Sequence, residues 1–83
     1  MVSVAFYGRL ADAAWREPRA LDVPSEIATI GALRRWLPSI APALADQLDP
    51  ATVRAAIGDT LVGDDAALSP ASEVTFLPPV SGG

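Results

Sequence analysis

The sequence predicts an α+β fold: a single sheet of about five strands with one main helix packed on one face. Two observations carry this. Strand-like segments with alternating apolar residues occur twice before, and three times after, a segment whose apolar residues repeat at helical spacing. Short clusters of Gly, Pro and Asp punctuate the intervals between them. The predicted order is strand, short helix, strand, long helix, strand, strand, strand.

Val2-Ser3-Val4-Ala5-Phe6-Tyr7 reads as the first strand, with Val2, Val4 and Phe6 facing the core, and Gly8 breaks it. Leu10 to Trp15 is Ala-rich and compatible with a short helix that stops before Pro18. Ala20 to Val23 is a short second strand ended by Pro24. Thr29 is placed to cap a helix that begins at Ile30. Ile30, Leu33 and Leu37 share one face of that helix, which turns Arg34 and Arg35 outward. Pro38 ends or kinks it. A further helical piece is expected over Pro42 to Leu48, where Ile40, Leu44 and Leu48 repeat every four residues.

Thr52 to Ile57 reads as a third strand. Gly58-Asp59 is a two-residue hairpin connection into Thr60-Leu61-Val62, and Gly63-Asp64-Asp65 is another turn. Glu73 to Leu77 is the last strand, with Val74 and Phe76 on one face. Pro78-Pro79 offers no backbone N–H, so regular pairing ends there and an extended, flexible tail over 78–83 is expected. The whole chain, 1–83, reads as one domain with one modest core.

Composition narrows the chemistry. The 83 residues are 51% hydrophobic, enough for a globular fold. No apolar run approaches the roughly 18 residues of a membrane span, and no secretory signal is legible. The expected address is therefore the cytoplasm. The net charge is −4, and all six cations are arginines, scattered except for Arg34-Arg35. No basic stripe is available to neutralise phosphates, which argues against nucleic acid as a partner. The chain has no Cys, no His and no Lys. It therefore has no thiol nucleophile, no imidazole base, no amine for a Schiff base and no usual zinc ligand set. An autonomous enzyme is disfavoured, and no metal site is expected.

Most of the remaining constellations have plain readings. Asp64-Asp65 fits a solvated turn, Arg34-Arg35 a solvated helix face, and Trp15 and Trp36 the core. The terminal segment is different. Two glycines after a pair of prolines suit a carboxyl group that must enter a narrow channel of an activating enzyme. Glycine keeps the chain thin, and the prolines limit the entropy lost on insertion.

The segment Glu73-Val74-Thr75-Phe76-Leu77-Pro78-Pro79-Val80-Ser81-Gly82-Gly83 resembles the end of the small subunit of molybdopterin synthase. Val2 to Tyr7 with Arg9-Leu10, Thr29 to Arg34, Ala55-Ala56-Ile57 and Thr60-Leu61-Val62 resemble other elements of that family. The resemblance implies the ubiquitin-like β-grasp fold, with a mixed sheet. It implies that Gly83 is adenylated at its carboxyl by a partner of the ubiquitin-activating type, at the expense of ATP. A sulfur donor would then convert it to a thiocarboxylate. Pro78, Pro79, Val80, Ser81 and Gly82 would form the partner-binding tail, entering the large synthase subunit of a heterotetramer. The sulfur on Gly83 would attack the cyclic pterin precursor. The carrier itself would bind no cofactor. Leu61, Phe76 and Leu77 are candidates for the docking surface, although one face of those strands must be core. The family often has Asn-Gln where Gly58-Asp59 stands, and a second aromatic where Leu77 stands. Two alternatives stay open: a sulfur carrier for thiamin or cysteine synthesis, and a protein modifier of ubiquitin type.

Overall fold

A computed structural model describes residues 1–78. Five strands form one mixed sheet: β1 (Val2–Phe6), β2 (Arg19–Leu21), β3 (Arg54–Ile57), β4 (Thr60–Val62) and β5 (Glu73–Leu77). Their spatial order is β2-β1-β5-β3-β4. The first and last strands are parallel neighbours at the centre, in the register Val4 with Val74 and Phe6 with Phe76. The β1–β2, β3–β4 and β3–β5 pairs are antiparallel. Helices α1 (Arg9–Ala13) and α2 (Ile30–Trp36) and two short 3-10 turns, Leu37–Ser39 and Pro42–Leu44, complete the described structure. The sheet order, the mixed pairing and the main helix are those expected of a β-grasp.

Alternation along the strands explains the core. Val2, Val4 and Phe6 of β1 point to the same side as Val74 and Phe76 of β5, and all five are buried. Ile30 and Leu33 close over them from α2, Leu37 from the 3-10 turn that follows it, and Leu10 and Trp15 from the α1 segment. Phe6 stacks on Phe76 with centroids 5.6 Å apart and meets Trp15 edge-on at 5.2 Å. The Trp15 indole N–H donates to the Val4 carbonyl at 2.7 Å, so its polar atom is satisfied inside the core.

Local sequence signals act as expected at several ends. The Thr29 hydroxyl accepts from the Ala32 N–H at 3.2 Å, capping α2. Gly58 has φ +60 and Asp59 does not, the pattern of a type II′ hairpin turn between Ile57 and Thr60. At Pro38 the α-helix has already tightened into a 3-10 turn.

Several expectations need correction. First, the helical piece over Pro42 to Leu48 is one 3-10 turn; Leu44 and Leu48 reach the core from turns, while Ile40 is exposed. Second, β3 starts at Arg54, not Thr52, because the Thr52 and Val53 N–H groups both turn back to the Asp49 carbonyl. Third, β2 ends at Leu21, opposite Val2, where β1 has no more strand to offer. The Leu10 to Trp15 segment likewise shifts, with α1 covering Arg9–Ala13.

A further correction concerns charge. Arg34 does not face outward: it is 6% exposed. Its Nε and Nη2 donate to Asp64 at 3.2 and 2.7 Å, and its Nη1 donates to the Val53 carbonyl at 2.9 Å and to Leu48 at 3.4 Å. Its guanidinium lies over the Phe76 ring, 5.5 Å from the centroid. One side chain thus ties α2 to the loop before β3 and to the turn after β4. Asp64 is accordingly a structural partner and not simply a solvated turn residue.

Replacing Arg34 with Ala strands these acceptors. Because Asp64 keeps access to water, the expected cost is about 2–3 kcal/mol, the scale of hydrogen bonds to a charged group. Arg35→Ala, on the exposed side of the same helix, should change stability by less than about 0.5 kcal/mol. Urea denaturation of the two variants checks the contrast.

Candidate functional site

The helices and 3-10 turns lie against the inner face of the sheet, and the outer face is formed by the alternate residues of each strand. Register places Ser3 and Ala5 of β1 opposite Glu73 and Thr75 of β5. It places Ala56 of β3 between Thr75 and Leu61, and Arg54 opposite Leu77. Tyr7 follows β1 just as Leu77 follows Phe76, and the Tyr7 N–H donates to the Phe76 carbonyl at 3.1 Å.

The result is a shallow depression of about 210 Å³ lined by Tyr7, Ala56, Gly58, Asp59, Leu61, Thr75 and Leu77. Its floor is low because Ala56 is small. Its most exposed large side chains are apolar: Tyr7 is 55% exposed and Leu61 62%. Both rank among the four large hydrophobic residues left exposed in the described structure, the others being Met1 and Ile40. Two such side chains on one face beside the root of the tail form a distinct apolar patch.

The candidate residues separate accordingly. Leu61 and Leu77 stand on the outer face, Leu77 half-buried. Phe76 does not: it is completely buried between Phe6 and Arg34, because the alternation that turns Leu77 out turns Phe76 in. It is therefore removed from the docking surface and assigned to the core. Tyr7, Ala56 and Thr75 are the members that sequence reading missed. For Tyr7 the signal was present, since a strand with Val2, Val4 and Phe6 inward must present Ser3, Ala5 and Tyr7 outward.

The tail is visible at its root. Pro78 is half-buried and lies against Gly8. Pro79, Val80, Ser81, Gly82 and Gly83 lie outside the described residues. Among the described residues no group of three or more acidic side chains is placed to hold a metal, and no helix is long and apolar enough to cross a membrane. Trp15 is core, as expected, and Trp36 is half-buried against it.

Comparison with known proteins agrees with the fold. The molybdopterin synthase sulfur carrier subunit of Escherichia coli (strain K12) is 31% identical over 83 residues, covering 100% of both chains. The crystal structure of SAMP1 from Haloferax volcanii superposes with a TM-score of 0.77 at 23% identity, covering 99% of this chain and 98% of that one. A putative molybdopterin converting factor, subunit 1, from Pyrococcus furiosus gives 0.77 at 20% identity, covering 95% and 97%. These structural likenesses establish the ubiquitin-like fold. The ThiS family model matches residues 4–83. The chain belongs to the ThiS family.

Proposed function

We propose that this protein is the sulfur-carrying small subunit of a molybdopterin synthase, with the Gly83 carboxyl as the group that carries sulfur. The observation behind this reading is the 31% identity to the sulfur carrier subunit of E. coli, which extends over the whole of both chains, tail included. The chemistry is as follows. The Gly83 carboxylate attacks the α-phosphate of ATP on an activating partner of the ubiquitin-activating type, releasing pyrophosphate and leaving an acyl-adenylate. A donor that delivers sulfur at the sulfide level then displaces AMP: a C–S bond forms and a C–O bond breaks. The resulting thiocarboxylate is a soft nucleophile on a narrow arm. In the large subunit its sulfur attacks a carbon of the pterin precursor, a C–S bond forming as a C–O bond at that carbon breaks and its oxygen leaves, and water cleaves the remaining acyl–sulfur bond. The sulfur stays on the pterin and the Gly83 carboxylate is restored. Two such rounds supply the two sulfurs of the dithiolene.

The carrier binds no cofactor of its own in this scheme, and ATP belongs to the activating partner. The base, the anion pocket and the orienting groups come from those partners, which suits a chain without Cys, His or Lys. The cytoplasm, where ATP and reduced sulfur are at hand, is the compartment in which we place it. Tyr7, Leu61 and Leu77 form the face that docks on the large subunit, while Pro78 to Gly82 lead the terminus inward. An apolar cluster rimmed by Arg54, Asp59 and Glu73 has the make-up of an interface centre with a charged border.

The likeness to SAMP1 keeps a modifier reading in view, in which the activated Gly83 forms an amide with another protein. At 23% identity that likeness speaks for the fold and does not favour this chemistry over sulfur delivery.

Two outcomes test the proposal. Incubation with ATP, an activating enzyme and a sulfur donor should raise the intact mass by the exchange of one oxygen for sulfur, and deletion of Gly83 should abolish this without altering the melting curve. Amide adducts in place of the exchange would support the modifier. Separately, Leu61→Glu should weaken binding to the large subunit about tenfold or more, the equivalent of about 1.4 kcal/mol, with the fold retained, since Leu61 is 62% exposed. Calorimetric titration reads that change directly.

A further inference from the structure

Gly8 stands at the junction of β1 and α1 and has φ +61 and ψ −141, a conformation that disfavours any residue with a Cβ. It is anchored on both sides. The preceding Tyr7 N–H donates to the Phe76 carbonyl at 3.1 Å, and the Gly8 carbonyl accepts from the Ala11 N–H at 3.1 Å. Leu10 and Ala11 are buried, so the start of α1 has no room to move. A Cβ at position 8 would lie 2.8 Å from Cγ of Pro78 and 3.7 Å from its Cβ and Cδ. The space where a side chain would sit is therefore filled by the Pro78 ring.

Pro78 cannot donate a backbone hydrogen bond, so it cannot continue the ladder of β5. Ring packing takes over where the ladder stops. We propose that Gly8 is a positioning residue: the notch left by its missing Cβ seats the Pro78 ring and fixes the direction in which the chain leaves β5. This rests on the reading of Gly83 as the reactive end. Five residues separate Pro78 from that end, a reach of at most about 17 Å when drawn out. A small rotation at Pro78 therefore displaces the terminus by several ångströms, whereas a seated root reduces the orientations that a partner must select. The notch is a property of the body of the protein, far in sequence from the reacting group, and it bears on how efficiently partners capture the tail.

The test is a cycle of three variants: Gly8→Ala, Pro78→Ala, and the two combined. Each is assayed as a substrate of the activating enzyme, at a temperature where circular dichroism shows it fully folded. Gly8→Ala drives a methyl into the ring and should lower kcat/KM about tenfold, with the loss in KM, since Gly82-Gly83 is unchanged. Pro78→Ala empties the notch and should cost several-fold. The double variant leaves two methyls about 3.7 Å apart, an ordinary van der Waals contact. It should recover the part of the Gly8→Ala loss that comes from the clash with the ring, leaving the part that comes from an alanine at φ +61. A purely structural role for Gly8 would lower the melting temperature but leave KM unchanged in folded protein. Unchanged KM in folded Gly8→Ala, or additive losses in the double variant, would overturn the proposal. If Gly8→Ala does not fold, Pro78→Ala decides alone: wild-type KM would overturn the seat. If the wild-type chain itself acquires no sulfur, the carrier reading fails instead. The seat is then judged from an NOE between the Gly8 α-protons and the Pro78 ring, whose absence would count against it.

Discussion

The parallel pairing of β1 with β5 is the constraint from which the rest of this molecule follows. Parallel neighbours cannot be joined by a hairpin, so everything between Phe6 and Glu73 is in effect one long crossover. Stacking of Phe6 on Phe76 and the register of Val4 with Val74 hold the two strands on the core side. Closing a loop of that length costs entropy before any contact is formed. The inner face offsets this cost by burying α2 and the α1 segment against both strands at once. The same pairing brings the exit of β1 beside the exit of β5. That is why Tyr7 and Gly8 stand next to Leu77 and Pro78.

The parts legible in the sequence were those with a local cause. Alternation set the inward residues of β1 and β5, the Thr29 hydroxyl marked the start of α2, and Gly58 marked the tight turn of the β3–β4 hairpin. What escaped had a non-local cause. Helical spacing sets Arg34 four residues after Ile30 and three before Leu37, on the inward stripe, but only the tertiary arrangement brings Asp64 and the Leu48 and Val53 carbonyls within its reach and so lets a charge be buried there. Fourfold spacing of Ile40, Leu44 and Leu48 looks helical although the chain between them is mostly turns. The choice between Phe76 and Leu77 was likewise undecided, since period-two alternation defines two faces without saying which one meets a helix. Of the candidate site, the outer-face residue Leu61 and the half-buried Leu77 were legible, whereas Gly8 read merely as the end of a strand.

Arg34 links the stability of the core to the shape of the outer face. Its acceptors at Leu48 and Val53 precede β3, and its partner Asp64 follows β4. It therefore grips the hairpin at both of its open ends. That hairpin supplies Ala56 and Leu61, the floor and one wall of the apolar depression. Gly31 sharpens the same grip: its N–H donates to the Asp64 carbonyl at 2.8 Å, and a Cβ there would come within 3.1 Å of Asp64. A buried charge is costly to desolvate. Here its five-donor fork joins three segments that no single apolar side chain could hold in register.

On the proposed function, these features divide the labour of a carrier in a particular way. Transfer chemistry needs a base, a nucleotide site and an oxyanion pocket, and the chain has no Cys, His or Lys with which to build them. What it does contain is a rigid sheet, an apolar face and a root for the tail, all set by the two central strands. On that function, partners would recognise the face, and the exit angle would govern how readily the end enters them. Selection for sulfur delivery would then act on a few surface positions and on one missing Cβ, and only indirectly on the core. A substitution in the core changes how much folded carrier is present. On the proposed function, a substitution on the outer face would change how well partners dock, and one in the notch at Gly8 would change how often the tail arrives in a productive orientation.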